Sequence, residues 1–586
     1  MARGWPHHQG LLGLGVLSGI ALMAHPAAAQ TLFVAYPPTA HQTTAEQIFF
    51  IGTADPSLEV RINGAVVNDR SPAGHFAPSL PLALGDNQFT FTQGDETLTL
   101  QVTRLPTAPI LPETLALTDI TPTVDVARQW GERFCFEAIA PPAATVAVTW
   151  AGQSIPLQAN PNPVLLPANY GVLIDQNAPF ALGASRYEGC TRLPENTAAT
   201  APVYTLTLAG QTVSQAAPGT LGTLPVDGFE VATVVTASGT ARTGPSTDYS
   251  RLTPLPQGTQ AVITGRQGDW LRLDYGAWIR ASETQITSTA VPPHSIIRSA
   301  RSQQRSGWTE VLFPLEVPVP VTVDQTADSL TLTLHNTTPQ TDTIYIEPDA
   351  AIASFTWQPI LPDQAQYRLQ LRGQPWGYKL HYDGTTLVLS LRHPPEVSTH
   401  QPLRGTTILL DPGENDLGAR VPNGYPEKDV TLILSQLLRT ALEAKGATVV
   451  MTRAGDDDLY PGDRVDIINQ VEPTLALSIH YNALPDAGDA LNTAGIGTFW
   501  YHPQAQSLSI FLHDYLVAAL DRPTYGIYWN NLALTRPTVA PSVLLELGFM
   551  INPQEFEWIT DPEAQMQLAQ TLADGIEAWM RQAVTD

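Results

Sequence analysis

The chain has 586 residues and a formal charge of −25, from 55 Asp and Glu against 30 Lys and Arg. A single core rarely grows past about 250–300 residues, so several domains are expected. The acidic balance argues against a nucleic-acid partner, because phosphates would be repelled, and 51 Pro with 42 Gly suit short strands and turns rather than long helices.

The first thirty residues read MARGWPHHQGLLGLGVLSGIALMAHPAAAQ. Arg3 gives a basic start, an apolar run follows from Leu11 to Ala24, and Ala27, Ala28 and Ala29 form a small-residue cleavage site. This is the pattern of a secretory signal peptide over 1–29. A membrane anchor is the alternative, but the run is shorter than the roughly 20 residues that a spanning helix needs. No later stretch is apolar enough to span, so the expectation is an exported protein of the periplasm or cell wall with no stable membrane span. Outside the cytoplasm, the two cysteines Cys135 and Cys190 are expected to form a disulfide. On the chain-entropy model that closure stabilises its segment by about 4 kcal/mol.

The front half reads as β-rich. From 31 to 105, short alternating bursts (IFFIGTA, LEVRING, TLTLQVT) between Gly, Asn and Asp turns predict an antiparallel sandwich. VRINGAVV and LALGDNQFTF there resemble bacterial immunoglobulin-like domains. Residues 110–222 continue in the same rhythm (ATVAVTWAG, VYTLTLAG) with proline-rich breaks, and predict a second β domain carrying the disulfide. Over 227–288 the order TARTGPSTDYSRL, PQGT, AVITG, GDWLRL, AWI resembles a bacterial Src-homology-three-like barrel. That resemblance implies binding of cell-wall peptides; for Trp270 and Trp278 the plainer expectation is packing in the barrel core. Residues 300–397 (SLTLTLHN, DTIYIEP, YRLQLRG, TLVLSLRH) resemble the AMIN β domain that precedes many cell-wall amidases, and PPEVSTHQP over 394–402 reads as a linker.

At 403 the rhythm changes to strands alternating with helices, which predicts an α/β domain with a mostly parallel sheet over 403–586. TTILLDPG, ATVVMTR, LALSIHYNA, GIGTFWYH and VLLELGFM read as strands. KDVTLILSQLLRTALEAKG is an amphipathic helix, with Val430, Ile433, Leu434, Leu437, Leu438, Ala441 and Leu442 at helical spacing and Gly446 as its stop. DRVDIINQV, SLSIFLHDYLVAAL and EAQMQLAQTLADGIEAWMRQ complete the helices.

In such a sheet, ligands bind beyond the carboxyl ends of the strands. Glu414 follows TTILLDPG, His480 closes LALSIH, Glu546 lies within VLLELGF, and Glu427 opens the first helix. A carboxylate inside so apolar a strand is costly unless it is paired or functional. The plain alternatives are a partner arginine for Glu546, such as Arg453 or Arg464, and a satisfied core histidine for His480. Three ligands and an open water position are what a catalytic zinc takes, so Glu414, Glu427 and His480 are candidate metal ligands and Glu546 the candidate base and acid. Neither G-x-S-x-G nor H-E-x-x-H occurs.

The phrases LLDPGENDLGA, GYPEKDV, VVMTR, ALSIHYNA, GTFWYH and LLELGFMIN, in this order, resemble the zinc-dependent N-acetylmuramoyl-L-alanine amidases. The resemblance implies Zn2+ as cofactor, peptidoglycan as substrate, and cleavage of the amide between the lactyl group of N-acetylmuramic acid and L-alanine of the stem peptide. It puts the metal ligands at 414, 427 and 480, the catalytic glutamate at Glu546, and a substrate contact at Asn482. One position departs: the family's first ligand is histidine, in D-P-G-H-G-G, whereas this chain has Glu414 followed by Asn415 and Asp416. Glutamate is a legitimate zinc ligand, but a second carboxylate makes the metal less electropositive and the site less selective for zinc. An amidase fold that binds the wall or regulates another hydrolase without cutting is the competing expectation, and a metal hydrolase of another amide is the third. Only LPDAGDALNTA separates the His480 strand from the next, so a site open without an activator is expected.

Overall fold

The computed structural model describes residues 31–584 except 107–116, 161–163, 175, 182–184, 349–350, 399, 415–417 and 420. The signal peptide expected over 1–29 lies outside the described residues. No helix among them is long and apolar enough to cross a membrane.

The front half is built of β-sheets. In the first unit the hairpin Gly85–Gln93 and Glu96–Arg104 alternates over its inner part, and buries Phe89, Phe91, Leu100 and Val102 on one face. The second unit is a six-stranded sheet in which Cys135 and Cys190 lie directly opposite each other and are bonded. Its neighbour is not separate from it. Strand Val126–Arg128 pairs with Gln260–Gln267 of the following segment, so one sheet runs through both. Trp270 and Trp278 are buried but are not members of the core cluster that holds their neighbours Leu271 and Ile279; Arg280 lies over the first ring and Arg128 over the second, each 5.0 Å from the ring centre. A five-stranded and a four-stranded sheet between Ser295 and Arg392 enclose the next core.

The C-terminal unit is a six-stranded sheet in the order Thr448–Met451, Thr407–Pro412, Leu475–Asn482, Ser542–Phe549, Ile496–Trp500, Thr524–Trp529. Every pairing is parallel except that between Ile496–Trp500 and Ser542–Phe549. The central strands read as unbroken apolar runs because helices cover the sheet. These are α1 (Glu427–Ala444), α2 (Pro461–Val471), α3 (Pro503–Leu520), α4 (Pro553–Thr560) and α5 (Pro562–Ala583). Buried Val430, Leu434, Leu438 and Leu442 of α1 join Leu568, Leu572 and Ile576 of α5 in one core. Strand Thr524–Trp529 and helix α4 are additions to the sequence expectation. For α4 a signal existed: Asn552 before Pro553 is a capping pair, and the Asn552 side chain accepts from the amides of Gln554 and Glu555.

The preceding β unit also enters this core. Trp376 is 6% exposed, packs with the buried residues of the α/β domain, and donates its indole N–H to Thr474 O at 2.6 Å. The stretch 394–402 therefore joins two units that are already in contact.

Candidate functional site

The site forms where the Thr407–Pro412, Leu475–Asn482 and Ser542–Phe549 strands end, on the carboxyl edge of the sheet. His480 and Glu546 stand opposite each other in register. Glu427 begins α1 and Glu414 lies two residues beyond the first strand. The structure brings these sequence-predicted residues together. His480 Nδ1 lies 3.1 Å from Glu414 Oε1 and 3.9 Å from Glu427 Oε1, and donor atoms of all three residues lie within 4.8 Å of one another.

The loop is shaped for this convergence. Glu414 adopts φ 65, a left-handed conformation that costs a non-glycine residue of order 1–3 kcal/mol. Gly413 lets the loop pass close to the imidazole, since a Cβ there would meet His480 at 2.5 Å. Gly418 does the same between the two ligand candidates, where a Cβ would lie 2.7 Å from both Glu414 and Glu427. The Glu427 carboxylate is 2% exposed and accepts the Tyr481 amide at 2.9 Å and the Ala419 amide at 2.7 Å, one on each oxygen.

Behind the ligand candidates lies a buried charge network that the sequence reading missed. Asp411 accepts from Arg464 and Thr452 at 2.6 Å and from Ser478 at 2.7 Å. Ser478 Oγ lies 3.0 Å from His480 Nε2 and so orients the ring with Nδ1 toward the carboxylates. Arg464 also donates to Pro412 O and, at 2.7 Å, to Glu414 O. Arg453 donates to Pro412 O, Gly413 O and Lys428 O. Both arginines are thus committed to the loop, and neither partners Glu546. Asp411 ends an apolar strand just as Glu546 interrupts one, so the same burial argument would have singled it out.

The electrostatics are crowded. Burial, then the Glu414 charge, push Glu427 up to about 7. Burial pushes Glu546 up to about 8; His480 opposes this, and the Glu427 and Glu414 charges add to it. For His480 burial acts downward, but the hydrogen bond to Glu414 and the surrounding carboxylates outweigh it and raise the imidazole to about 9. Glu546 Oε2 is buried and has no hydrogen-bond partner among the described residues. Asn482 closes its strand beside Phe549; its Oδ1 accepts the Ala483 amide at 2.9 Å, and its Nδ2 is buried with no hydrogen-bond partner among the described residues.

A divalent cation fits this donor set. Two carboxylates and one imidazole converge on one point, which is a combination zinc accepts. The second cluster of potential ligands, Cys135, Glu188 and Cys190, contains the disulfide and offers no thiolate.

The α/β domain thus gathers a histidine and three carboxylates at the carboxyl edge of its sheet, and it is similar to known proteins. Residues 408–578 match the family described as N-acetylmuramoyl-L-alanine amidase. The chain is 36% identical over 187 residues to the "Probable cell wall amidase LytH" of Staphylococcus aureus, covering 30% of this chain and 60% of that protein. The chain thus spans about 60% of the length of these curated relatives. Among solved structures, the catalytic domain of the amidase CwlV from Bacillus (Paenibacillus) polymyxa var. colistinus matches at 27% identity, over 30% of this chain and 97% of that one, with a TM-score of 0.27. The N-acetylmuramoyl-L-alanine amidase of Clostridium difficile 630 matches at 27% identity, over 30% and 96%, with a TM-score of 0.28.

Proposed function

We propose that this chain is an exported peptidoglycan hydrolase that cuts the amide between N-acetylmuramic acid and L-alanine of the stem peptide. The observation that carries the proposal is the convergence of Glu414, Glu427 and His480 within 4.8 Å, beside a Glu546 whose Oε2 has no hydrogen-bond partner among the described residues. These three residues would hold the metal, with the imidazole bound through Nδ1. When bound, the ion, zinc by family resemblance, supplies the Lewis acidity that activates water and polarises the scissile carbonyl. The other steps belong to the protein. Glu546 Oε2 accepts the proton of the attacking water and returns it to the leaving nitrogen of L-alanine. A carboxyl raised by burial suits both roles. Asn482 Nδ2 points its unused N–H groups at the substrate. The Asp411–Ser478–His480 chain fixes the imidazole.

Export through a leader over 1–29, and action in the periplasm or cell wall, complete the reading. The relative's name, a cell wall amidase, supports that location. Glutamate at 414 in place of the family histidine favours the second reading, a wall-binding or regulatory protein that no longer cuts. Digestion of purified peptidoglycan by the mature protein, with and without a chelator, separates them. New L-alanine amino termini that disappear on chelation are expected. Wall binding with no cleavage under any added divalent metal refutes the hydrolase reading.

A further inference from the structure

The first sandwich does not simply extend from the front of the chain. One of its edges rests on the rim of the candidate site. Phe49, Ile51 and Ala77 share a buried cluster with Ala490, Phe549 and Ile551 of the α/β domain, and Ala419 packs against it. The α/β members are the continuations of the site's own segments. Phe549 and Ile551 follow Glu546. Ala490 lies in the loop that follows His480 and Asn482. Ala419 donates its amide to Glu427. Phe33 lies against the turn before Glu427, where a Cβ on Gly424 would be 3.8 Å from its ring.

Polar pins fix the same loop. Asp486 accepts from the Tyr36 hydroxyl on one oxygen and lies 2.9 Å from His41 Nε2 on the other. Gln47 donates to Ala487 O at 2.9 Å. Burial would raise the Asp486 carboxyl, but hydrogen bonds from Thr43, Tyr36 and His41 outweigh it and hold the group below its ordinary value. Burial and the Asp486 carboxylate keep the Tyr36 phenol protonated, so it stays a donor.

We propose that the first sandwich is a positioning wall of the hydrolytic site, with Asp486 as the positioning residue that Tyr36 and His41 clamp. Residues 483–490 leave the strand that carries His480 and Asn482. Anchoring them to a separate β unit sets where that strand ends and where the substrate-facing amide stands. The same face supports the Ala419 turn that orients Glu427. A front unit whose sequence announces only an immunoglobulin-like sandwich is thereby part of the catalytic architecture. The proposal rests on the amidase reading of the site.

The test uses the full mature protein, its Asp486→Ala, Asp486→Glu and Tyr36→Phe variants, and a soluble muramoyl peptide as substrate. Backbone hydrogen exchange, zinc affinity by competition, kcat and KM are measured. In Asp486→Ala, exchange is expected to rise over 483–490 and over 418–424. Its kcat is expected to fall about tenfold or more, because small displacements of reacting groups are costly, while KM changes little. Tyr36→Phe removes one hydroxyl from an otherwise intact interface and shows the same split, more weakly; Asp486→Glu restores part of kcat. Freed loops with unchanged kcat overturn the proposal. So does a fall in kcat with unchanged exchange, which would place Asp486 in direct contact with substrate. A wild-type protein that binds no zinc and cuts nothing refutes the amidase reading instead, and the exchange data still decide whether the clamp exists.

Discussion

Replacing Arg464 by methionine should damage both the stability of the α/β domain and the metal affinity of its site. The Arg464 side chain is 3% exposed and its partner Asp411 1%. The guanidinium reaches Asp411 Oδ1 and Pro412 O at 2.6 Å and Glu414 O at 2.7 Å. Methionine keeps the stem but leaves the buried Asp411 carboxylate without its cation and removes the Arg464 donor from Glu414 O, while Thr452 and Ser478 still serve Asp411 and Arg453 still serves Pro412 O. Removing one partner of a buried pair costs about 3–5 kcal/mol. Against a typical domain stability of about 5–15 kcal/mol, that is a large share. Among the described residues all α-helices lie in the α/β domain, so circular dichroism at 222 nm during urea unfolding follows that domain against a β background. The second effect is local. Arg464 helps hold Glu414 at φ 65, and loss of such support should weaken zinc binding by about 10–100-fold. A destabilisation under about 1 kcal/mol would show that water replaces the guanidinium. That result would refute the assignment of Arg464–Asp411 as the support of the ligand loop.

Glu546→Gln should leave zinc bound and lower kcat by about 10²–10⁴-fold, because the amide cannot take the proton; wild-type turnover in this variant would remove Glu546 from the mechanism. Glu414→Ala should strip zinc and activity together, whereas Glu414→His should keep activity and shift preference toward zinc over manganese, read by competition between the metals. His335 is pushed down to about 4 by burial. The unfolded chain therefore binds a proton first as pH falls below about 6.5, and stability should drop from there toward pH 4. The loss is on the order of 2 kcal/mol after allowance for partial exposure. Urea midpoints of the β half between pH 7.5 and 4.5 should show this slope, and His335→Gln should flatten it.

The parts of this molecule visible in sequence are those with local signatures. The period of Val430, Leu434, Leu438 and Leu442 gave α1, and the unbroken apolar run around Glu546 gave both a central strand and a misplaced carboxylate. The departure at Glu414 was equally plain, and the loop still carries its carboxylate to His480. What was hidden depends on contacts between distant residues. Arg464 could be named from sequence only as a possible partner for Glu546, whereas the fold brings it to Asp411, 53 positions away. Strand pairing between Val126–Arg128 and Gln260–Gln267 leaves no mark on either segment's alternation, so two expected domains are joined by one sheet. Trp376 reads as a β-domain aromatic and is in fact part of the α/β core. The Asp486 clamp joins residues 450 apart in sequence, and nothing in HQT or LPDAGDA announces it.

The central claim is that Glu414, Glu427 and His480 together hold the metal. Anomalous diffraction at the zinc edge, from crystals of the mature protein grown with zinc, tests it most directly. The account predicts one peak at the carboxyl edge of the sheet, about 2.0–2.2 Å from His480 Nδ1 and from an oxygen of each glutamate. No peak there, or one ligated by His480 and Glu427 with Glu414 turned away, would contradict it.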